Sequence, residues 1–140
     1  MGQLTDDIVS TAKASTNNFR DKGSFDYSIE SLACVDELLE ELSDYSMNED
    51  DLYNIASMVG SYVFETARKN YGGVYQWHQT AEQPVLVAGL PDFSVAIMAW
   101  EKVKGRVING KEDNIPFYID GYREHIERGR NEKGYKVFIT

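Results

Sequence analysis

Two apolar stripes of helical period, set end to end, constrain this chain more than any other feature. In the first, Leu32, Val35, Leu39 and Leu42 recur at three- and four-residue steps, with Leu38 beside them. In the second, Leu52, Ile55, Ala56, Val59, Val63 and Ala67 do the same. Such spacing places each set on one face of a helix. Ser43 to Met47 between them reads as a connection. The boundaries carry their own chemistry. Ser28 is a candidate N-cap for the first helix, because its hydroxyl can accept from a free backbone N–H. Asn48 plays the same part for the second, and Glu49, Asp50 and Asp51 follow in the first turn, where the helix dipole favours negative charge. Arg68 and Lys69 suit the last turn for the opposite reason, and Gly72-Gly73 ends it. Val74 to Trp77 then alternates as a strand does, with Tyr75 and Trp77 on one face.

Charge is distributed unevenly along this stretch. The 140 residues carry a formal net charge of −9. No Lys or Arg occurs between Gly23 and Ala67, whereas the chain from Glu101 onward is slightly basic. The first helix bears Glu30, Asp36, Glu37, Glu40, Glu41 and Asp44. Such a surface disfavours nucleic acid, since phosphate contacts need cations. It suits a basic protein partner, whose approach it would accelerate. The plainer reading is a solvated helix face. Like charges at three- and four-residue spacing weaken an isolated helix, so either tertiary packing has to hold this one or cations from the last two helices, such as Lys102 or Arg123, have to come alongside, with packing expected to dominate. The carboxylates are expected to face outward, and reversing Glu40 and Glu41 to Lys is expected to leave the fold intact.

A length of 140 residues suits a single domain spanning 1–140, large enough for a core without covalent staples. Cys34 is the only cysteine, which excludes an intramolecular disulfide and a multi-cysteine metal site. No apolar run reads as a signal peptide or a membrane span. A reduced, cytoplasmic setting is the expectation.

The remaining chain divides readily. Met1 to Asn18 reads as a helix with Leu4, Ile8, Ala12 and Ser15 as its stripe. Phe19 to Phe25 is a connection. Beyond Trp77, a turn leads to a strand from Pro84 to Ala88, and Gly89, Pro91 and Asp92 mark another turn. Ser94 is expected to cap a long helix carrying Ile97, Trp100, Val103 and Val107, with Lys102 and Arg106 on its exposed side and Asn109-Gly110 at its end. Asp113 is expected to cap a last helix with Pro116 in its first turn, Ile115, Ile119, Tyr122 and Ile126 on its apolar face, and Gly129 near its end. Tyr135 to Thr140 has strand propensity and would add an edge strand. The fold class is therefore α+β, with about five helices packed against a small antiparallel sheet.

Three segments also resemble a known family. Asp26-Tyr27-Ser28-Ile29-Glu30-Ser31-Leu32, Gly60-Ser61-Tyr62-Val63-Phe64-Glu65 and Tyr71-Gly72-Gly73-Val74-Tyr75-Gln76-Trp77 are similar to motifs of small bacterial proteins catalogued as a domain of unknown function. These are a D-Y-S-x-x-S-L helix start, a G-x-Y-x-x-E helix and a G-G-x-W-like strand, the Trp here falling two residues later. The resemblance implies a bacterial cytosolic protein and carries no activity.

Candidate sites are few. Glu65 sits near the apolar side of its helix and needs a partner, for which Tyr62, Tyr75, Arg106 and Arg123 are candidates. Gly60, inside the same helix, calls for close approach by another element or for a ligand against bare backbone. His78 and His125, the only histidines, stand on different elements without metal-ligand spacing. Neighbouring carboxylates such as Glu40/Glu41 point apart on a helix, so they do not form acid–base dyads. Asn48 to Leu52 lacks the glycine and closing glutamate of a calcium loop. No nucleophile elbow, phosphate loop or dinucleotide fingerprint is present. Neither cofactor nor metal is indicated.

Two functions from different classes remain. The first is a non-catalytic protein, immunity- or adaptor-like, that meets a basic protein partner through Asp36, Glu37, Glu40, Glu41 and Asp44. The alternative is a small-molecule-binding protein or enzyme with a pocket between the sheet and the C-terminal helices, built from Glu65, Tyr75, Trp77 and Arg106, with His78 nearby.

Overall fold

The computed structural model describes residues 2–140. Its helices are α1 (Gln3–Asn18), α2 (Ser31–Leu42), α3 (Glu49–Tyr71), α4 (Ala99–Asn109) and α5 (Ile115–Arg130). Its strands are β1 (Val74–His78), β2 (Gln83–Ala88), β3 (Ser94–Ile97) and β4 (Lys136–Ile139). The expected helix start at Met1 lies outside the described residues. About 60% of the chain is helical and 14% is strand, an α+β fold with five helices. No helix among the described residues is long and apolar enough to cross a membrane.

Helix α3 is the axis of the molecule. Asn48 Oδ1 accepts from Asp51 N at 2.8 Å and starts it, and Gly72 at φ 89° stops it. A one-sided stripe was the sequence expectation, yet every residue from Val59 to Ala67 is buried. The extra burial comes from α1, α4 and α5, which pack around that segment. Ser15 of α1 is buried in this way, its hydroxyl donating to Met58 O at 2.6 Å. Gly60 lies where the backbone of α4 comes closest. A Cβ built there would stand 2.6 Å from Trp100 Cδ1 and 2.9 Å from Trp100 Cα.

The four strands lie in the order β1-β2-β3-β4. β1 and β2 form the expected antiparallel pair, β3 adds to β2 antiparallel from a segment read as helix, and β4 runs parallel to β3, so the sheet is mixed and not antiparallel throughout as expected. Two helices separate β3 from β4 in sequence, so a crossover connection replaces a hairpin there. Register places Tyr75, Leu86, Ile97 and Ile139 in one row across the sheet, on the face that the helices cover. The alternate residues Val85, Val87 and Ala96 form a separate small cluster on the opposite face. Two tyrosines of α5 tie its inner face to the sheet ends. Tyr118 Oη donates to Ile139 O at 3.0 Å and accepts from Met98 N at 2.9 Å, and Tyr122 Oη donates to Gly72 O at 2.8 Å.

Two sequence expectations are corrected here. Ser94 does not cap a helix; Ser94–Ile97 is strand β3, paired on both sides, and α4 begins only at Ala99. The run Val95-Ala96-Ile97 is buried on both faces of the sheet, so it carries no alternation to distinguish strand from helix. Asn114, not Asp113, caps α5, its side chain accepting from Phe117 N at 2.8 Å. Asp113 instead binds Lys102 Nζ at 2.8 Å.

Candidate functional site

A concavity lies where α2 ends and α3 begins. It encloses about 740 Å³ and runs beneath the Ser43–Asn48 connection. Leu38, Leu42, Met47 and Ile55 line it with apolar surface, and all but Leu38 are half-buried. Glu41, Asp44 and Asp51 line it with carboxylates. Lys22 is the one cation among its lining residues, and its Nζ stands 3.5 Å from Glu41 Oε2. Tyr45 lies at the mouth with 69% of its surface exposed. The last turn of α2 holds no basic residue, so nothing there offsets the negative end of the helix dipole.

The sequence-derived partner residues fall into two groups. Glu37, Glu41 and Asp44 are exposed, as expected of an outward face. Asp36 and Glu40 are turned to a different use. Arg106, expected on the exposed side of α4, is buried to 1%, and its guanidinium reaches across to α2. Nε and Nη2 donate to Asp36 Oδ1 and Oδ2 at 2.9 and 3.0 Å, and Nη2 lies 2.9 Å from Glu40 Oε1. Asp36 Oδ1 also accepts from Ile115 N at 3.0 Å, so one carboxylate joins α2, α4 and the start of α5. The pairing with Asp36, outweighing the loss of hydration on burial, holds the Arg106 guanidinium firmly charged. Reversal of Glu40 to Lys therefore cannot be neutral; it would set a second cation against a buried one.

Glu65 is buried, as expected, but only one of the four proposed partners serves it. Arg68, one turn along the same helix, donates from Nε and Nη2 at 2.6 and 2.9 Å, and Tyr75 Oη donates at 2.8 Å from β1. Burial alone pushes the Glu65 carboxyl up, yet the bonds from Arg68 and Tyr75 and the charges of Arg68 and Lys69 together hold it below its ordinary 4.5. The stability that this group contributes is therefore complete above pH 4.5 and is lost as the pH falls through the lower folded value. Glu65→Gln is expected to flatten that part of the acid limb in urea unfolding midpoints measured across the acid range. An acid limb identical to wild type would overturn the assignment.

The candidate pocket residues of the alternative function do not converge. Glu65 and Tyr75 bond each other, Arg106 binds α2, and Trp77 stands on edge strand β1 with 46% exposure. His78 is occupied locally, its Nδ1 accepting from Ala81 N at 3.0 Å. The three segments that carry the family resemblance do meet. Tyr62 Oη accepts from Tyr27 N at 2.9 Å and lies 2.7 Å from Ser31 Oγ, while Glu65 reaches Tyr75. Their hydrogen bonds join the entry to α2, the middle of α3 and strand β1, which is structural work.

Sequence reasoning missed the groove because Tyr45 and Met47 sit in a connection without motif character. The coincidence of an apolar helix end with Asp44 and Asp51 was the available signal. No family model, curated protein or solved structure matches the chain.

Proposed function

We propose that the protein is a non-catalytic binding protein that receives a basic, partly apolar segment of a protein partner in the α2/α3 groove. One observation carries this reading: an apolar floor is rimmed by three carboxylates whose only neighbouring cation is already paired with one of them. Apolar side chains of the partner would fill the floor, and Lys or Arg side chains would meet Asp44 and Asp51. Glu37 extends the same charge along α2. Such a surface favours fast, salt-sensitive association. An adaptor or an immunity-type protein works through a surface of this kind.

The test uses a labelled amphipathic peptide rich in Lys and Leu, with an acidic counterpart of equal apolarity as control. Anisotropy should show saturable binding of the basic peptide only, weakening by about tenfold or more from low to high salt. Asp44→Lys with Asp51→Lys should abolish it while leaving the protein folded, because both side chains are exposed, with only a modest drop in the unfolding midpoint from placing a cation in the first turn of α3. Equal binding of the acidic peptide, or insensitivity to the double reversal, would refute the reading.

A further inference from the structure

Asn109-Gly110 is the one Asn-Gly pair in the chain, and it closes α4. In such a pair the backbone nitrogen of the glycine can attack the asparagine side chain, because no Cβ crowds its approach. The surroundings leave room for that reaction. Asn109 is exposed, Gly110 stands at φ 85°, and a Cβ built on Gly110 would meet nothing within 4 Å.

Two hydrogen bonds engage the reacting groups. Gly110 N donates to Arg106 O at 3.2 Å, which ties the nucleophile into the last turn of α4. Asn109 Nδ2 donates to Asp113 Oδ2 at 3.0 Å, which ties down the side-chain amide. Asp113 is itself fixed, since Lys102 Nζ donates to its other oxygen at 2.8 Å. The bonds from Lys102 and Asn109 hold the Asp113 carboxyl below its ordinary 3.8, so it accepts as a charged carboxylate.

We infer that Asn109 is a deamidation site guarded by Asp113, and that it reacts when the joint between α4 and α5 opens locally. Gly110 N loses its proton and forms a bond to Asn109 Cγ. The Cγ–Nδ2 bond breaks, and ammonia leaves with that proton. Water then opens the five-membered imide at either carbonyl, which gives aspartate or isoaspartate at position 109. Either product alters the joint. A carboxylate there replaces a donor to Asp113 with a second negative charge, and Lys102 is the one cation bonded to Asp113. Isoaspartate also lengthens the main chain by a methylene, beside the bond from Gly110 N to Arg106 O. Molecules that have reacted are therefore less stable, and the change is one-way. This site does not depend on the α2/α3 groove.

The experiment incubates the full chain in mildly alkaline buffer and follows the peptide containing position 109 by mass spectrometry, through the mass gain from amide to acid. Wild type in unfolding concentrations of urea should react at least several-fold faster than folded wild type. Asp113→Ala, which frees the Asn109 amide, should accelerate the folded protein several-fold. Lys102→Met removes the ion pair but keeps the bond from Asn109, so it should accelerate the reaction much less. Reacted molecules, separated by charge, should unfold at lower urea than unreacted ones. Equal rates for folded and unfolded wild type would overturn the inference. So would a Lys102→Met variant that reacts as fast as Asp113→Ala, or an Asp113→Ala rate equal to wild type.

Discussion

Arg106→Met is expected to destabilise the fold by about 3–5 kcal/mol, the usual penalty for removing one member of a buried ion pair. A domain of this size has roughly 5–15 kcal/mol in all, so the variant sits close to the unfolding threshold. The loss does not come from the cation itself. It comes from Asp36, whose side chain is 16% exposed and is left with Ile115 N as its remaining donor. Glu40 suffers less, because at 49% exposure it can turn into water. Arg106→Lys should recover only part of the loss, since a single ammonium cannot reproduce the two parallel bonds to Asp36. Asp36→Leu combined with Arg106→Met should be more stable than Arg106→Met alone, because no charge is then buried unpaired. Full recovery is not expected, as Ile115 N loses its acceptor at the start of α5. Urea unfolding of the three variants against wild type checks the series. An Arg106→Met variant within about 1 kcal/mol of wild type would show that the clasp between α2 and α4 is dispensable.

Gly60 should behave in the opposite way to an ordinary helical glycine. In an exposed helix, Gly→Ala stabilises by about 1 kcal/mol. Here the added methyl would meet Trp100 Cδ1 at 2.6 Å and Trp100 Cα at 2.9 Å. The indole can tilt, but the Cα belongs to the backbone of α4, so the two helices have to separate. Gly60→Ala is therefore expected to lower stability, and Gly60→Leu to do so by roughly 1–3 kcal/mol or more. A Trp100→Ala background removes the side-chain clash and leaves the backbone one. Gly60→Ala should be less harmful there, yet still not stabilising. Thermal unfolding of both backgrounds reads this directly, and a raised melting temperature for Gly60→Ala in the native background would refute the close approach.

These two predictions mark the limit of what a single sequence reveals. The helix-start signal at Asn48, the glycine stops at Gly72 and Gly110 and the apolar periods of α1, α2 and α5 were all legible. Each of them operates within a few residues, through a local hydrogen bond or a repeat of the backbone. Gly60 was legible as a close approach, because an interior glycine has no local reason to be there. Its partner was not legible, since Trp100 lies 40 positions away in sequence and any element could have filled the role.

Arg106 shows the other side. By helical period it falls beside the apolar stripe of α4, and a charged residue there is ordinarily assigned to solvent. What buries it is Asp36, separated from it by 70 positions. A carboxylate on an acidic helix looks like any of its neighbours until the fold sets a guanidinium against it. Glu65 was read as buried for the right reason, but Arg68, three residues along its own helix, was overlooked in favour of Tyr62, Tyr75, Arg106 and Arg123. Strand β3 was lost because burial on both faces erases the alternation that marks a strand. The groove is likewise a product of packing: it is lined by residues of separate segments that no spacing connects. Local chemistry, written in runs of a few residues, determined where helices begin, end and turn an apolar face. The tertiary structure alone decided which of the many carboxylates are bonded inside and which are left free to bind, because that choice depends on contacts between positions tens of residues apart.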